Sequence, residues 1–249
     1  MTKLRPYVLS IAGYDPSGGA GVLADVKTFE AIGVHGFAVT TCITYQNDQK
    51  FDGINWLSKK KIKNQLYPLL DKYKIDHVKI GLIKNLETLS ELMELLRSYN
   101  KKIHIMWDPV ISATSGYTFH KKLSQKYLYH IFQTIDLLTP NWNEIKLLTG
   151  EEDAIKAARA IAEYCNVFLK GGHSTETPGT DLLWKNKKLV ILKPNVIAKS
   201  DKHGTGCVLS AAITAYLALG NTLERSCGLA KEYTYQYLIS NETRLGYHK

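Results

Sequence analysis

The residues of this chain best suited to chemistry are the motif HGTGC at 203–207, in which two glycines flank a threonine and a cysteine follows. The next residues, VLSAAITAYLALG, are small, apolar or hydroxylated, and they predict a helix over 206–219. Successive backbone N–H groups at a helix N-terminus bind anions, and the helix macrodipole adds about half a positive charge. The motif therefore predicts a site for the charge that develops on a phosphoryl group during its transfer.

Two other phosphate-binding patterns are absent from the sequence. In the segment GYDPSGGAG at 13–21, Gly13 and Gly18 have the spacing of the P-loop pattern GxxxxGK[ST], but Gly19 stands where that pattern needs lysine. Neither glycine-rich segment completes GxGxxG, which excludes the dinucleotide fingerprint of the Rossmann fold. The predicted helix N-terminus in HGTGC thus remains as the anion site.

Apolar strands and amphipathic helices alternate along the chain. Strands are predicted at 7–12, 37–45, 77–83, 103–108, 135–139 and 167–171, and helices at 18–32, 59–73, 86–99, 142–149, 152–164, 206–219 and 222–240. A hairpin is predicted at 181–193, with Lys185-Asn186-Lys187 in its turn. This alternation is typical of an α/β fold with a mostly parallel central sheet and helices on both faces, and we expect one domain over residues 1–249.

Glycine-rich or polar segments follow several of the predicted strands. They are GYDPSGGAG (13–21), DPVISATSG (108–116), PNWNE (140–144), KGGHS (170–174) and HGTGC (203–207). Ligands of such sheets bind at the carboxyl ends of the strands, so we expect these segments to surround one site.

Composition narrows the functional classes. The four cysteines form no CxxC pair, so neither a zinc site nor a disulfide framework is indicated. Apolar runs stay shorter than the ~18 residues of a membrane span, and no signal peptide is evident, which predicts a soluble cytoplasmic protein without membrane contact. The net charge of +9 suits an anionic substrate, whereas the lysines form no aromatic-interleaved stripe of the kind that would indicate a nucleic-acid partner.

Taken together, AGYDPSGGAGVLADVKTFEAIG, TYQN, KIGL, DPV, TPNxxE, KGGH and HGTGC resemble the hydroxymethylpyrimidine/phosphomethylpyrimidine kinases of thiamine biosynthesis, over residues 7–236. The resemblance implies a ribokinase-like fold, the cofactors ATP and Mg²⁺, and a small pyrimidine as partner. It also implies transfer of the γ-phosphoryl group of ATP to 4-amino-5-hydroxymethyl-2-methylpyrimidine and then to the resulting phosphate. A homodimer is the assembly that relatives suggest.

The resemblance assigns catalysis to the HGTGC motif. Cys207 stands where most of the superfamily has an aspartate base, and Gly204, Thr205 and Gly206 would supply the anion hole. A free thiol has a pKa near 8.5, and a helix N-terminus lowers it, so we expect a thiolate base at neutral pH.

Substrate contacts implied by the resemblance are Gly13, Asp25, Gln46, Leu82 and Val110. The Gln46 amide offers one donor and one acceptor, which complement the edge of an aminopyrimidine. Asp25 could accept a hydrogen bond from the hydroxymethyl group, and Leu82 and Val110 would line the pyrimidine pocket.

Nucleotide contacts are expected from Asn141 and Lys170, with Lys170 neutralising phosphate charge. Asp108 and Glu144 are the acids nearest to predicted strand ends and would hold magnesium directly or through water. The adenine pocket is expected near 195–202 and the last helices.

Some positions depart from the family pattern. Tyr14 replaces Ser or Thr, which bears on substrate preference; Leu82 replaces Met, a nearly volume-conserving change; and Val208 replaces a threonine, which removes a hydroxyl beside the anion hole. The segment 46–56 is expected to form a mobile flap over the site.

Two rival functions stay open from the sequence. A pyridoxal kinase would carry almost the same motifs, including the cysteine, and pyridoxal also presents a hydroxymethyl group on a nitrogen heterocycle. A non-catalytic pyrimidine-binding protein is the other, although such a protein would not need the base that Cys207 provides.

Overall fold

The computed structural model describes residues 4–112, 119, 125–173, 178–194, 196 and 201–249. A central sheet runs through this part of the chain. Its strands are β1 (Tyr7–Tyr14), β2 (His35–Gln46), β3 (Phe51–Trp56), β4 (His77–Ile80), β5 (His104–Trp107), β6 (Leu137–Leu138), β7 (Asn166–Leu169), β8 (Asp181–Lys185) and β9 (Lys188–Leu192). They lie in the order β3-β2-β1-β4-β5-β6-β7-β8-β9. The strands from β2 to β7 in that order pair in parallel, while β3, β8 and β9 are antiparallel. The predicted mostly parallel sheet is confirmed.

Helices cover both faces of this sheet. They are α1 (Gly21–Ile32), α2 (Lys59–Lys72), α3 (Leu86–Tyr99), α4 (Gln125–Thr134), α5 (Trp142–Thr149), α6 (Ala154–Ile161), α7 (Thr205–Ala218) and α8 (Leu223–Leu238). The first core of buried apolar residues lies between one face of the sheet and α2 to α6. The second lies between the opposite face and α1, α7 and α8. Successive side chains of a strand point to opposite faces, so in β5 Ile105 and Trp107 belong to the first core and Met106 to the second. None of the described helices combines the length and apolarity needed to cross a membrane.

Two elements were not predicted. The segment expected to form a flap contains β3, which pairs antiparallel with β2 and places Gly53 opposite Tyr45. Its sequence FDGINW lacks the apolar run of a buried strand, so pairing with β2 and not intrinsic preference determines the strand. Helix α4 was overlooked, although Leu128, Ile131 and Phe132 have helical spacing and are buried.

The predicted hairpin is present, with a shorter turn than expected. Strands β8 and β9 pair through Lys185 and Lys188, so only Asn186 and Lys187 form the turn. Both have positive φ, 49° and 66°, as a two-residue hairpin turn of the common primed type requires.

The sheet order reverses beside β1 and so opens a crevice. From β1 the chain passes through α1 to β2 on one side, whereas β4 pairs with β1 on the other side. The loops that leave β1 and β4 at their carboxyl ends therefore diverge, and this is where open α/β sheets bind ligands.

Candidate active site

A cavity of about 1000 Å³ lies at the carboxyl edge of the sheet, large enough for two small ligands side by side. Every residue proposed for the site from the sequence lines this cavity, with the single exception of Asp25. The segments 113–118 and 174–177, which belong to two of the predicted loops, lie outside the described residues.

The HGTGC motif forms the N-terminus of α7, as its sequence predicted. Gly204 is the N-cap, with φ 76° in the left-handed region, and no side chain of the described residues caps this end. A Cβ at Gly204 would collide with the backbone carbonyl of Gly19, so the loop after β1 and the HGTGC loop are in direct contact. The first-turn N–H groups of α7 are thus held at the cavity wall, where an anion can accept from them.

Cys207 lies in this first turn and is half-buried. Burial raises the pKa of its thiol to about 11, with the charges of Asp25 and Asp108 acting in the same direction. The charge of Lys79 and a hydrogen bond from the Gly21 N–H lower the pKa of the thiol, but by less than burial raises it. The expectation of a lowered thiol pKa was therefore wrong, because desolvation of the thiol outweighs the groups that favour its ionisation.

Lys170 lies between two buried carboxylates. Its Nζ is 2.9 Å from Asp108 Oδ1 and 3.5 Å from Glu144 Oε2. Burial alone would lower the pKa of Lys170, but the two carboxylates outweigh it and raise the pKa, so the ammonium stays charged. A Cβ placed on Gly206 would lie 3.5 Å from the same Nζ. Lys170 therefore brings a positive charge next to the anion-binding helix end.

Asn141 and Glu144 also have a local structural function at the start of α5. The Asn141 side chain accepts from the backbone N–H groups of Asn143 and Glu144, and Glu144 Oε2 accepts from the Asn141 N–H at 2.7 Å. This capping box satisfies helix N–H groups that would otherwise lack partners. The motif TPNxxE thus places a carboxylate at the cavity wall by capping the first turn of α5 there.

Asp108 is held from several sides at the end of β5. Its carboxylate accepts hydrogen bonds from Ser210 at 3.0 Å and from Thr139 at 3.3 Å, in addition to the ammonium of Lys170. Ser210 lies one turn after Cys207 in α7 and also donates to the Cys207 carbonyl. The acid is therefore rigidly placed relative to the anion-binding helix.

Small and apolar residues form the opposite end of the cavity. A Cβ at Gly13 would meet the Cys42 sulfur at 2.8 Å and Leu82 at 3.3 Å, so only glycine fits at the end of β1. Gln46 and Val110 line the same end. These residues form a pocket wall with one amide, which is suited to a flat heterocycle.

Tyr14 also belongs to this end of the cavity, with 36% of the residue exposed. Its backbone carbonyl accepts a hydrogen bond from Thr44 at 2.9 Å. This bond fixes the Tyr14 backbone against β2, where the residue lines the cavity.

Asp25 is placed differently from what the sequence suggested. It is fully buried in α1, behind the cavity wall, and both its oxygens accept from Lys79 Nζ, at 2.8 and 2.9 Å. Lys79 is the member of this pair that lines the cavity. Lys79 is the first residue of the motif KIGL, but the sequence gives it no function, because nothing in the sequence brings together two residues that are 54 positions apart.

Asp15 and His203 form a second pair that was missed. His203 Nε2 lies 2.8 Å from Asp15 Oδ2, and both residues are buried at the cavity wall. Burial alone would raise the pKa of Asp15, but hydrogen bonds from His203 and Ser17 lower it overall. Both residues lie within quoted motifs, GYDPSGGAG and HGTGC, and the pair joins these two loops.

The far end of the cavity contains residues from β9, α8 and the segment between them. Val196, Asp201 and Lys202, the described residues of the expected adenine segment, line it. On α8, Lys231 donates to the carboxylate of Asp181 and to the Gly179 carbonyl. Helix α8 is thereby tied to β8, next to the 3₁₀ turn at Gly171–His173.

Known proteins match this chain over nearly its full length. The family model described as phosphomethylpyrimidine kinase matches residues 15–249. The hydroxymethylpyrimidine/phosphomethylpyrimidine kinase of Aquifex aeolicus (strain VF5) is 35% identical over 246 residues, with 96% of each chain covered.

Solved structures agree with the sequence match. The phosphomethylpyrimidine kinase of Clostridium difficile 630 has a TM-score of 0.78 and 32% identity, covering 93% of this chain and 99% of that one. The pyridoxal kinase of Staphylococcus aureus, in complex with AMP-PCP and pyridoxal, has a TM-score of 0.81 and 25% identity, covering 96% of this chain and 89% of that one. By sequence and by fold, the chain belongs to the phosphomethylpyrimidine kinase family and is a kinase with the ribokinase-like α/β fold.

Proposed function

We propose that this kinase transfers the γ-phosphoryl group of ATP to the hydroxymethyl group of 4-amino-5-hydroxymethyl-2-methylpyrimidine, and then to the phosphate so formed, in thiamine biosynthesis. The observation that carries the proposal is the N-terminus of α7, which no side chain of the described residues caps, and which lines one cavity with Cys207 and Lys170. An anion site, a group that can accept the proton of the alcohol and a fixed cation together serve the transfer of a phosphoryl group to an alcohol.

In the first reaction the substrate oxygen forms a bond to the γ-phosphorus, and the bond from that phosphorus to the β–γ bridging oxygen breaks. ADP leaves with the electron pair of the broken bond, and the proton of the substrate hydroxyl passes to the Cys207 sulfur. The N–H groups in the first turn of α7 and the Lys170 ammonium stabilise the charge on the transferred group. In the second reaction an oxygen of the monophosphate, already ionised near neutral pH, forms a bond to the γ-phosphorus, the bond to the β–γ bridging oxygen breaks, and ADP again leaves with the electron pair. No proton has to pass to Cys207 in this step.

The two ends of the cavity divide the ligands. Gln46, Leu82, Val110 and Gly13 are at the small apolar end, which we assign to the pyrimidine. The end next to α8 and Asn141 is assigned to the nucleotide. The HGTGC motif lies between them, so the transferred group would pass across the N-terminus of α7.

The residues at the cavity wall fit a magnesium ion that is also bound by phosphate and water. No group of three or more potential side-chain ligands occurs among the described residues, so a cage made only of protein is not available there. Mg²⁺ commonly binds through one or two carboxylates plus phosphates and water, and Asp108 and Glu144 provide two buried carboxylates. When bound, the ion would neutralise phosphate charge.

A kinase that depends on ATP would work in the cytoplasm, where ATP is available.

Measurement of ADP release tests the proposal. Purified protein with ATP and magnesium is offered the hydroxymethylpyrimidine, its monophosphate and pyridoxal in parallel. We expect turnover of both pyrimidines well above turnover of pyridoxal. Preference for pyridoxal, the ligand bound to the Staphylococcus aureus neighbour, would reassign the substrate. Lack of turnover with all three would contradict a kinase function.

A matched pair of cysteine variants controls for loss of fold in this assay. Cys207→Ala removes the thiol at the cavity, and Cys165→Ala removes a thiol that packs on the opposite core, with α2 to α6. Only the first should slow ADP release, by ~100-fold or more.

A further inference from the structure

Lys79 has no assigned function, although it lies at the floor of the cavity. Its side chain is 0% exposed to bulk solvent, and it lines the same cavity as Cys207. Removing an ammonium from water is costly, and a buried ion pair is often no more stabilising than apolar residues of similar volume. Stability of the fold alone therefore does not account for a lysine at this position.

The ammonium is held in one place by a buried polar cluster. Asp25 accepts from Lys79 Nζ through both oxygens and also accepts from Ser10 at 2.5 Å. Ser10 and Lys79 face each other in the register of β1 and β4. Burial alone would lower the pKa of Lys79, but Asp25, with smaller contributions from Cys207 and Asp108, raises the pKa overall, so the ammonium keeps its charge.

The side chain extends beyond its own strand towards the site. A Cβ at Gly81 would lie 3.0 Å from Lys79 Nζ, and Gly81 follows β4 at its carboxyl end. The ammonium thus lies next to the residue that leaves the sheet at the cavity, two positions after its own backbone. A side chain at 81 would occupy the space that the ammonium uses.

The start of α1 connects the surroundings of Cys207 with those of Lys79. A Cβ at Gly204 would lie 2.9 Å from the Cα of Ala20, which directly precedes α1, and Asp25, one turn into α1, holds Lys79. Of the charged groups around the thiol, Lys79 has the largest effect in favour of the thiolate. The titratable and charged groups that face Cys207 are Asp25 from α1, Lys79 from β4, Asp108 after β5, Lys170 after β7 and Tyr237 from α8.

We propose that Lys79 is a positioning residue of the phosphoryl transfer, whose ammonium, fixed by Asp25, stabilises the thiolate of Cys207. The proposal rests on the function proposed for Cys207 as the base. In the proton transfer, the O–H bond of the substrate breaks and an S–H bond forms at Cys207, while Lys79 keeps its own proton throughout. The positive charge of Lys79 offsets part of the effect of burial, which works against ionisation of the Cys207 thiol.

The experiment measures the rate at which iodoacetamide alkylates Cys207 as a function of pH, by mass spectrometry of the peptide. Only the thiolate reacts, so the rate follows ionisation of this thiol. The other cysteines serve as an internal background, because burial raises the pKa of Cys42 and Cys165 to about 12 and also raises that of Cys227. Neither ATP nor an alcohol is present, so the result does not depend on turnover.

The variants separate charge from shape. Lys79→Arg keeps the charge and should alkylate within about twofold of the original protein. Lys79→Met should alkylate at least about threefold more slowly at pH 8, with the pH midpoint moved upwards, because an opposite charge nearby shifts a pKa by ~1 unit or more. Asp25 would remain buried without its partner in that variant, so the double variant Lys79→Met/Asp25→Asn, which has no unpaired charge, is compared with Asp25→Asn, which keeps Lys79. The double variant should react more slowly than that single variant.

Ser10→Ala is the matched control, since it removes a hydrogen bond from the same cluster without changing any charge. It should leave the alkylation profile within about twofold of the original. Equal rates for the double variant and for Asp25→Asn alone would overturn the proposal, as would a slowed Lys79→Arg variant with an intact fold by circular dichroism. Failure of the kinase assay with all three acceptors would contradict the proposed function and leave the alkylation result standing.

Discussion

At the scale of the residue, the chemistry of Cys207 depends on a conflict between burial and charge. Burial raises the pKa of the thiol to about 11, so at neutral pH only a small part of the protein has the thiolate that can accept a proton. Most of the superfamily has an aspartate at this position, an acid with an ordinary pKa near 3.9 that is ionised at neutral pH. The cysteine is thus a stronger base that is less often in its basic form.

This conflict predicts a pH dependence. If Cys207 is the base, kcat/KM should increase with pH through the neutral and alkaline range, towards about 11. In Cys207→Asp the increase should move to lower pH, because a carboxyl group ionises earlier than the thiol. Steady-state assays between about pH 6 and pH 10 measure both profiles.

Cys207→Ala provides the baseline for these profiles. It should lower kcat by ~100-fold or more at every pH and leave ATP affinity nearly unchanged, since the anion site is built from backbone groups. An alanine variant with near-normal turnover would show that the thiol is not the base, and an unchanged profile in the aspartate variant would lead to the same conclusion.

At the scale of the element, the active site depends on two loops that interlock. The loop after β1 and the loop before α7 are in contact at Gly19 and Gly204, and the pair Asp15–His203 joins them a few residues away. Because the cavity is lined by both loops, a change in their contact alters the anion site directly.

Gly204→Ala tests this contact. Gly204 has φ 76°, and an added Cβ would collide with the Gly19 carbonyl, so the loops must separate. We expect kcat/KM to fall by about 100-fold or more, since a shift of ~1 Å in a catalytic group can cost that much. Backbone strain should also destabilise the fold by ~1–2 kcal/mol, measured by urea unfolding.

The matched control lies at the other end of the same helix. Gly220 follows α7 with φ 88°, and a Cβ there would meet nothing within 4 Å. Gly220→Ala should cost a similar ~1–2 kcal/mol of strain while leaving kcat/KM unchanged. Equal kinetic losses in both variants would mean that the loss comes from strain in α7 and not from the loop contact.

Elements with a continuous apolar run were predictable from sequence, and those shaped by partners were not. The strand 7–12 and the helix after HGTGC have patterns that fix both type and position, and the structure contains them as β1 and α7. Strand β3 has no such pattern, because it forms by pairing with β2. The same distinction holds in the site, where Gly204 was found from its motif, while the pairing of Lys79 with Asp25 depends on α1 and β4 both lying against β1.

At the scale of the whole molecule, one cavity must hold two ligands of different chemistry. Its volume of about 1000 Å³ extends from the apolar end near Gly13 to the polar end near α8, with the N-terminus of α7 between them. The net charge of +9 favours approach of the anionic nucleotide from any direction. Under the proposed division of this cavity, the two ligands occupy separate ends and bind at the same time.

Thermal unfolding with ligands tests this division. A ligand at 100 times its Kd stabilises the folded state by ~2.7 kcal/mol, which for a chain of this size is a rise in Tm of roughly 5–10 °C. We expect a non-hydrolysable ATP analogue and the hydroxymethylpyrimidine each to raise the Tm, and the two together to raise it by nearly the sum. Gln46→Ala should reduce the pyrimidine shift alone, and Tyr235→Ala, on α8, the nucleotide shift alone. A combined shift no larger than the greater single shift would show that the ligands compete for one end of the cavity, and transfer between them would then have no geometric basis.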